Sequence, residues 1–145
     1  MDQAFEYAEG VALETETDYP YKARDQTCAE AAAKGKVKVT KYADVQPNSV
    51  AQLKAALAQG PVSVAIEADT MVFQFYKTGI LNSVRCGTNL DHGVTAVGYG
   101  DNFFIVRNSW GPSWGDKGYI KISTDNEAKG GICGILLQPS WPQTD

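Results

Sequence analysis

The chain contains one histidine, His92, and three cysteines, Cys28, Cys86 and Cys133, so any acid–base or thiol chemistry is built from few parts. His92 lies just before the first of two apolar stretches, near residues 93–99 and 103–108. Gly100, Asp101 and Asn102 between them have the residue types of a three-residue hairpin loop. If Tyr99 faces Phe103 across that loop, His92 falls opposite Trp110 and Asn108 falls opposite Val94. His92 and Asn108 are then diagonal neighbours on one face, roughly 7–8 Å apart at the backbone and within side-chain hydrogen-bonding reach. A single bulge reverses that parity. The chemical content of the pair is definite. An amide oxygen on one ring nitrogen fixes an imidazole's orientation and leaves the other nitrogen to serve a nucleophile. A lone histidine at a strand end is more often a hydrogen-bonded structural residue, and the pair by itself does not choose between the two roles.

The elements that must position this pair can be read from periodicity. Phe5, Ala8 and Ala12 share a stripe on an opening helix, with Gly10 as a break. Residues 14–34 read mostly as loop around Tyr19, Pro20 and Tyr21, with an alanine-rich patch near Ala31. Val37 and Val39 alternate with lysines, as in a half-exposed strand. Asn48 or Ser49 can cap a helix bearing Val50, Leu53, Ala56 and Leu57, which Gly60 and Pro61 terminate. Val62, Val64 and Ile66 alternate as a strand, and Phe73, Phe75 and Tyr76 suit a short helical turn over the core. Further strands are expected at Tyr119, Ile120 and Ile122 and around Ile135 to Leu137. Helices before residue 60 and strands after it give an α+β fold with a mainly antiparallel sheet.

Length and composition agree with a folded domain. The 145 residues are 43% hydrophobic and 21% charged, outside the range of disordered chains. No apolar run approaches the roughly 20 residues of a membrane helix, so no membrane partner is expected. Thirteen basic against 17 acidic side chains give a net charge of -4, the wrong balance for nucleic acid. No basic and apolar leader of the signal-peptide kind is present.

Several stretches together resemble the papain-like cysteine peptidases, of the cathepsin L-like kind. They are Leu90-Asp91-His92-Gly93-Val94, Val97-Gly98-Tyr99-Gly100, Asn108-Ser109-Trp110-Gly111, Trp114-Gly115 and Gly118-Tyr119. Gly60-Pro61-Val62-Ser63-Val64, Tyr19-Pro20-Tyr21 and Trp141-Pro142 match as well, in order and spacing across nearly the whole chain. The resemblance implies a β-rich right-hand domain with a barrel-like antiparallel sheet at 43–145. Residues 1–42 would then be a remnant of the helical left-hand domain with its crossing loop. It implies His92 as catalytic base and Asn108 as its orienting amide. Trp110 would shield their hydrogen bond, with Trp114 and Asp91 supporting the site. The matching specificity-pocket positions are Met1, Ala68, Leu90, Gly93 and Gln138. Four of these are apolar or small, which implies a hydrophobic substrate side chain two residues before the scissile bond; Gln138 departs from that pattern.

The family's nucleophile lies in a Cys-Gly-Ser/Ala-Cys-Trp/Tyr motif about 130–150 residues before its histidine and asparagine. This sequence lacks the motif and has only 91 residues ahead of His92. The resemblance therefore implies a C-terminal segment of a protease, with the thiol and the glutamine of the oxyanion hole supplied elsewhere. It also implies a Cys86–Cys133 disulfide and an unpaired Cys28 whose partner is missing. A catalytic Cys28 or Cys86 is a weaker alternative, since Cys28 lies in a loop far from His92 in sequence and the implied bridge would consume Cys86. A zinc site from Cys86, His92 and Cys133 is weaker still, since no Cys-x-x-Cys spacing occurs. No cofactor or metal is expected. The expected partners are a peptide or protein substrate, the absent N-terminal half, and a propeptide or protein inhibitor. A lysosomal, vacuolar or secreted location follows for the whole enzyme. The competing function is a non-catalytic module that binds peptides or a propeptide.

Overall fold

The computed structural model describes residues 1–29 and 35–144. The chain divides into two compact units, Met1–Ala43 with Pro142–Asp145, and Asp44–Trp141. In the first, helix α1 spans Asp2–Gly10 and buries Ala8. Val11 is already extended, so Ala12 falls outside the expected helical stripe. The Phe5 ring lies 5.8 Å from that of Tyr42, whose hydroxyl donates to Glu6 at 3.1 Å. The expected strand at Val37 and Val39 is reduced to one bridge, Leu13 to Val37, and regular pairing begins at β1, Lys41–Asp44. Residues 14–29 are turns and loop, and the alanine-rich patch near Ala31 lies outside the described residues.

The second unit holds the core. Helix α2, Val50–Leu57, begins at Ser49, whose hydroxyl accepts the Gln52 N–H at 3.2 Å and satisfies one of the free amides of the first turn. Leu53 and Ala56 face inward. Strand β2, Val62–Ile66, alternates as its sequence demands, with Val62, Val64 and Ile66 buried. Helix α3, Met71–Gln74, buries Phe73 completely, and Tyr76 follows it into the core. Phe75, expected beside them, is 67% exposed, because it caps this single turn and points away. The remaining strands are β3 (Ile80–Leu81), β4 (His92–Tyr99), β5 (Phe103–Arg107), β6 (Tyr119–Ser123) and β7 (Ser140–Gln143).

The sheet runs in the order β1-β7-β2-β4-β5-β6-β3 and has two ends rather than closing on itself. Its described ladders are antiparallel except β3–β6, which is parallel. The β4–β5 loop is tighter than expected: the Gly100 N–H donates to the Phe103 carbonyl at 2.8 Å, leaving only Asp101 and Asn102 in the turn. Tyr99 accordingly faces Phe104 rather than Phe103, and a bulge between Ala96 and Gly98 absorbs the extra residue. Beyond it Ala96 faces Val106 and Thr95 faces Arg107, the register expected at the His92 end.

The strand expected at Ile135 to Leu137 is absent. Positive φ angles at Gly130, Gly131, Cys133 and Gly134 coil this stretch, and the Leu136 N–H returns to the Gly130 carbonyl at 2.9 Å. Ile135 and Leu136 are buried all the same, since an apolar run signals burial and not the backbone shape that achieves it.

Candidate active site

His92 is the first residue of β4 and pairs with Ile66 of β2. Asn108 directly follows β5, and its N–H donates to the Gly118 carbonyl at 3.0 Å. The two side chains meet, with His92 Nε2 2.9 Å from Asn108 Oδ1. The same oxygen accepts the Ser109 N–H at 2.7 Å. That backbone donor fixes which end of the amide faces the ring. His92 Nε2 must therefore carry the proton and donate, leaving Nδ1 to meet another group. Asn108 is 8% exposed, and its Nδ2 has no partner among the described residues.

Aromatic rings form the floor. Trp110 stacks on His92 with centroids 5.2 Å apart and planes at 28°. Phe73 meets Trp110 edge-on at 5.5 Å and Trp114 at 5.0 Å, so the helix α3 residue locks both tryptophans to the core. Trp114 is buried, and its indole N–H donates to the Gln74 carbonyl at 2.9 Å. Trp110 remains 40% exposed. Beneath Trp114, the Tyr76 hydroxyl donates to Gly79 at 2.6 Å and accepts the Lys121 N–H at 3.4 Å. Burial pushes its phenol above the usual tyrosine range, the Lys121 bond works the other way, and nearby Asp116 adds to the rise.

Asp91 braces the other side of His92. Its carboxylate accepts the Ala68 N–H at 2.8 Å and the Asp69 N–H at 3.3 Å, while its own N–H donates to Ile66 at 3.0 Å. Leu90, half-buried, packs so closely on Gly134 that a Cβ there would come within 2.7 Å of it. Leu137 touches the same glycine, which brings Gln138, itself exposed, next in line. Gly93 is exposed and lies opposite Ala65.

Ala68 does not join the open face. It is 3% exposed and belongs to the core, while its N–H donates to the Asp91 carboxylate. In β2, with Val62, Val64 and Ile66 inward, Ser63 and Ala65 point to the other face, an alternation the sequence already contains. Met1 stands at the start of α1 in the other unit and is 40% exposed. Cys86 and Cys133 form a disulfide with Cα atoms 4.8 Å apart, which removes both from thiol and zinc chemistry. Cys28 is free and exposed.

A histidine whose outer nitrogen is held by an amide is the kind of site that serves nucleophilic catalysis when a thiol or hydroxyl meets its other nitrogen. Comparison with known proteins narrows that class. Residues 1–143 match the family described as papain family cysteine protease. The chain is 49% identical to the probable cysteine protease RD21B of Arabidopsis thaliana and 45% identical to the cysteine proteinase EP-B 1 of Hordeum vulgare. Each match covers 98% of this chain but only 32% and 41% of those proteins, so the chain spans less than half the length of either. Among solved structures, it is similar to the Carica candamarcensis cysteine protease CMS1MS2 in complex with E-64. The TM-score is 0.90 at 34% identity, covering 99% of this chain and 68% of that one. The bromelain protease from Ananas comosus, in complex with the E64 inhibitor, aligns with a TM-score of 0.89 at 35% identity, covering 99% of this chain and 69% of that one. The chain belongs to the papain family of cysteine proteases.

Proposed function

We propose that this chain is the part of a papain-family peptidase that supplies the base and its orienting amide, while the thiolate comes from residues outside this sequence. The supporting observation is the 2.9 Å contact between His92 Nε2 and Asn108 Oδ1, which leaves Nδ1 for a thiol. Of the cysteines, two are consumed in a disulfide, and Cys28 is a free, exposed residue in a loop of the first unit. Residues 1–42 are read as what remains of a helical domain, and 43–145 as the β-rich domain that carries the site.

The chemistry follows from the pair. His92 Nδ1 takes the proton of the incoming thiol, and Asn108 keeps the resulting imidazolium aimed. The thiolate attacks the peptide carbonyl, and His92 returns the proton to the departing amine as the acyl-thioester forms. His92 then takes a proton from water, the hydroxide adds to the thioester, and the thiol leaves with that proton. Trp110 covers the hydrogen bond and Trp114 supports it. Leu90, Gly93, Ala65 and the exposed Gln138 line the pocket for a hydrophobic side chain two residues before the scissile bond. The partners are that peptide, the segment bearing the thiol, and a propeptide or inhibitor. The disulfide favours an oxidising compartment, lysosomal, vacuolar or secreted.

The test is complementation. Adding the cysteine-bearing N-terminal segment of a close relative is expected to give peptide hydrolysis, which His92→Ala lowers by at least about 10²-fold. Binding of that segment with no turnover favours a non-catalytic peptide-binding module instead.

A further inference from the structure

Glu67, the residue after β2, is a buried carboxylate that the chemistry above does not use. It is 8% exposed, and the only ion pair among the described residues joins Lys36 to Asp18, so no cation neutralises it. A buried carboxylate without a counter-charge is costly, and side-chain volume alone is supplied more cheaply by an apolar residue. Its contacts suggest what it does. Oε2 accepts the Asn89 N–H. The loop lies directly on the carboxylate: a Cβ at Gly87 would collide with its atoms, and Gly87 takes a φ of 75° that only glycine adopts easily. The Glu67 main chain is gripped too, its N–H donating to the Cys133 carbonyl at 2.9 Å, one residue from the glycine on which Leu90 rests.

These ties bracket one residue. Asn89 is held by the Glu67 side chain, and Asp91 is held by Ile66, Ala68 and Asp69. Leu90 stands between the two anchors, with its side chain over Gly134. His92, by contrast, is fixed independently by the β2–β4 ladder and by Asn108. We infer that Glu67 is a positioning residue for substrate specificity: by accepting the Asn89 N–H it sets the direction of Leu90, and it acts as a hydrogen-bond acceptor rather than as a charge. This rests on the reading of Leu90 as a pocket residue.

Two variants of the full chain, followed by NMR, test it. Glu67→Gln keeps an acceptor and Glu67→Met keeps the volume without one. The Gln variant is expected to retain the parent's Asn89 amide protection and Leu90 methyl shifts. The Met variant is expected to exchange the Asn89 amide at least about tenfold faster and to displace the Leu90 methyls, with the His92 imidazole signals unchanged. A merely structural role lowers the melting temperature but leaves those folded-state signals in place. The inference is overturned if the Met variant folds with parental Asn89 and Leu90 signals, or if Gln displaces them as far as Met does. Should the Met variant not fold, the Gln variant decides, parental signals supporting the inference and displaced ones overturning it. No step of this test requires turnover, so its failure and a failure of complementation are separate results.

Discussion

The two flanks of His92 are built differently. The Asn108 flank is local: β4 and β5 are joined by a tight turn, and one hairpin delivers histidine, asparagine and Trp110 together. The other flank, proposed above as the specificity flank, is stitched from three distant segments, near residues 65–69, 86–93 and 133–138. A disulfide between residues 47 apart in sequence joins them, with the hydrogen bonds of Asp91 and Glu67. A hairpin needs only correct pairing to place its side chains. A stitched surface depends on each link, so the two flanks should fail separately.

The disulfide gives the largest expected effect. Replacing Cys86 and Cys133 by alanine releases a long loop and is expected to cost about 4 kcal/mol on the chain-entropy estimate, measured by denaturant unfolding. In whatever remains folded, amides at 87–90 should lose protection while the His92–Asn108 bond persists. Loss of both together would break the distinction. Phe73→Ala strikes the other flank. Phe73 is fully buried against both tryptophans, and the expected cost is about 3 kcal/mol, towards the lower end for such truncations because the half-exposed Trp110 can settle into the space. The His92 ring signals should move and those of Leu90 should not.

Ser49→Ala serves as the even-handed case. It removes the α2 cap and should lower stability by about 1 kcal/mol, with both flanks losing protection equally. The smallest effect is alkaline. Because burial raises the folded-state pKa of Tyr76 above its unfolded value, the unfolded chain loses this proton first as pH climbs past about 10. Stability present below that pH therefore falls as pH rises toward the folded-state value. Tyr76→Phe should flatten this part of the melting-temperature profile while lowering its neutral-pH level through loss of the Gly79 bond.

The same contrast governs what the sequence discloses. Alternation and turn residues placed His92 and Asn108 on one hairpin, but their final register rests on two departures that cancel. The turn itself was one residue shorter than its composition suggests, and the bulge near Val97 restored the register where it matters. Helix α2 was legible from its serine cap and apolar spacing. The specificity flank was not. The apolar run at Ile135 and Leu136 looks like a strand until the positive φ angles around it are known. Ala68 and Ala65 are interchangeable by composition, and only the fold separates them, Ala68 lying in the core and Ala65 on the outward side of β2. Glu67 carries no pattern at all, since its partner is a backbone N–H some 22 residues away.

A chain that holds a base and its amide without a nucleophile, as proposed above, should not hydrolyse peptides on its own. The most direct measurement is hydrolysis, by this chain alone, of a fluorogenic peptide with a hydrophobic residue two positions before the scissile bond, under mild reduction at weakly acidic pH. The expected result is no turnover above a His92→Ala control. Turnover that His92→Ala abolishes would contradict the account and place the thiolate at Cys28 or at a reduced Cys86.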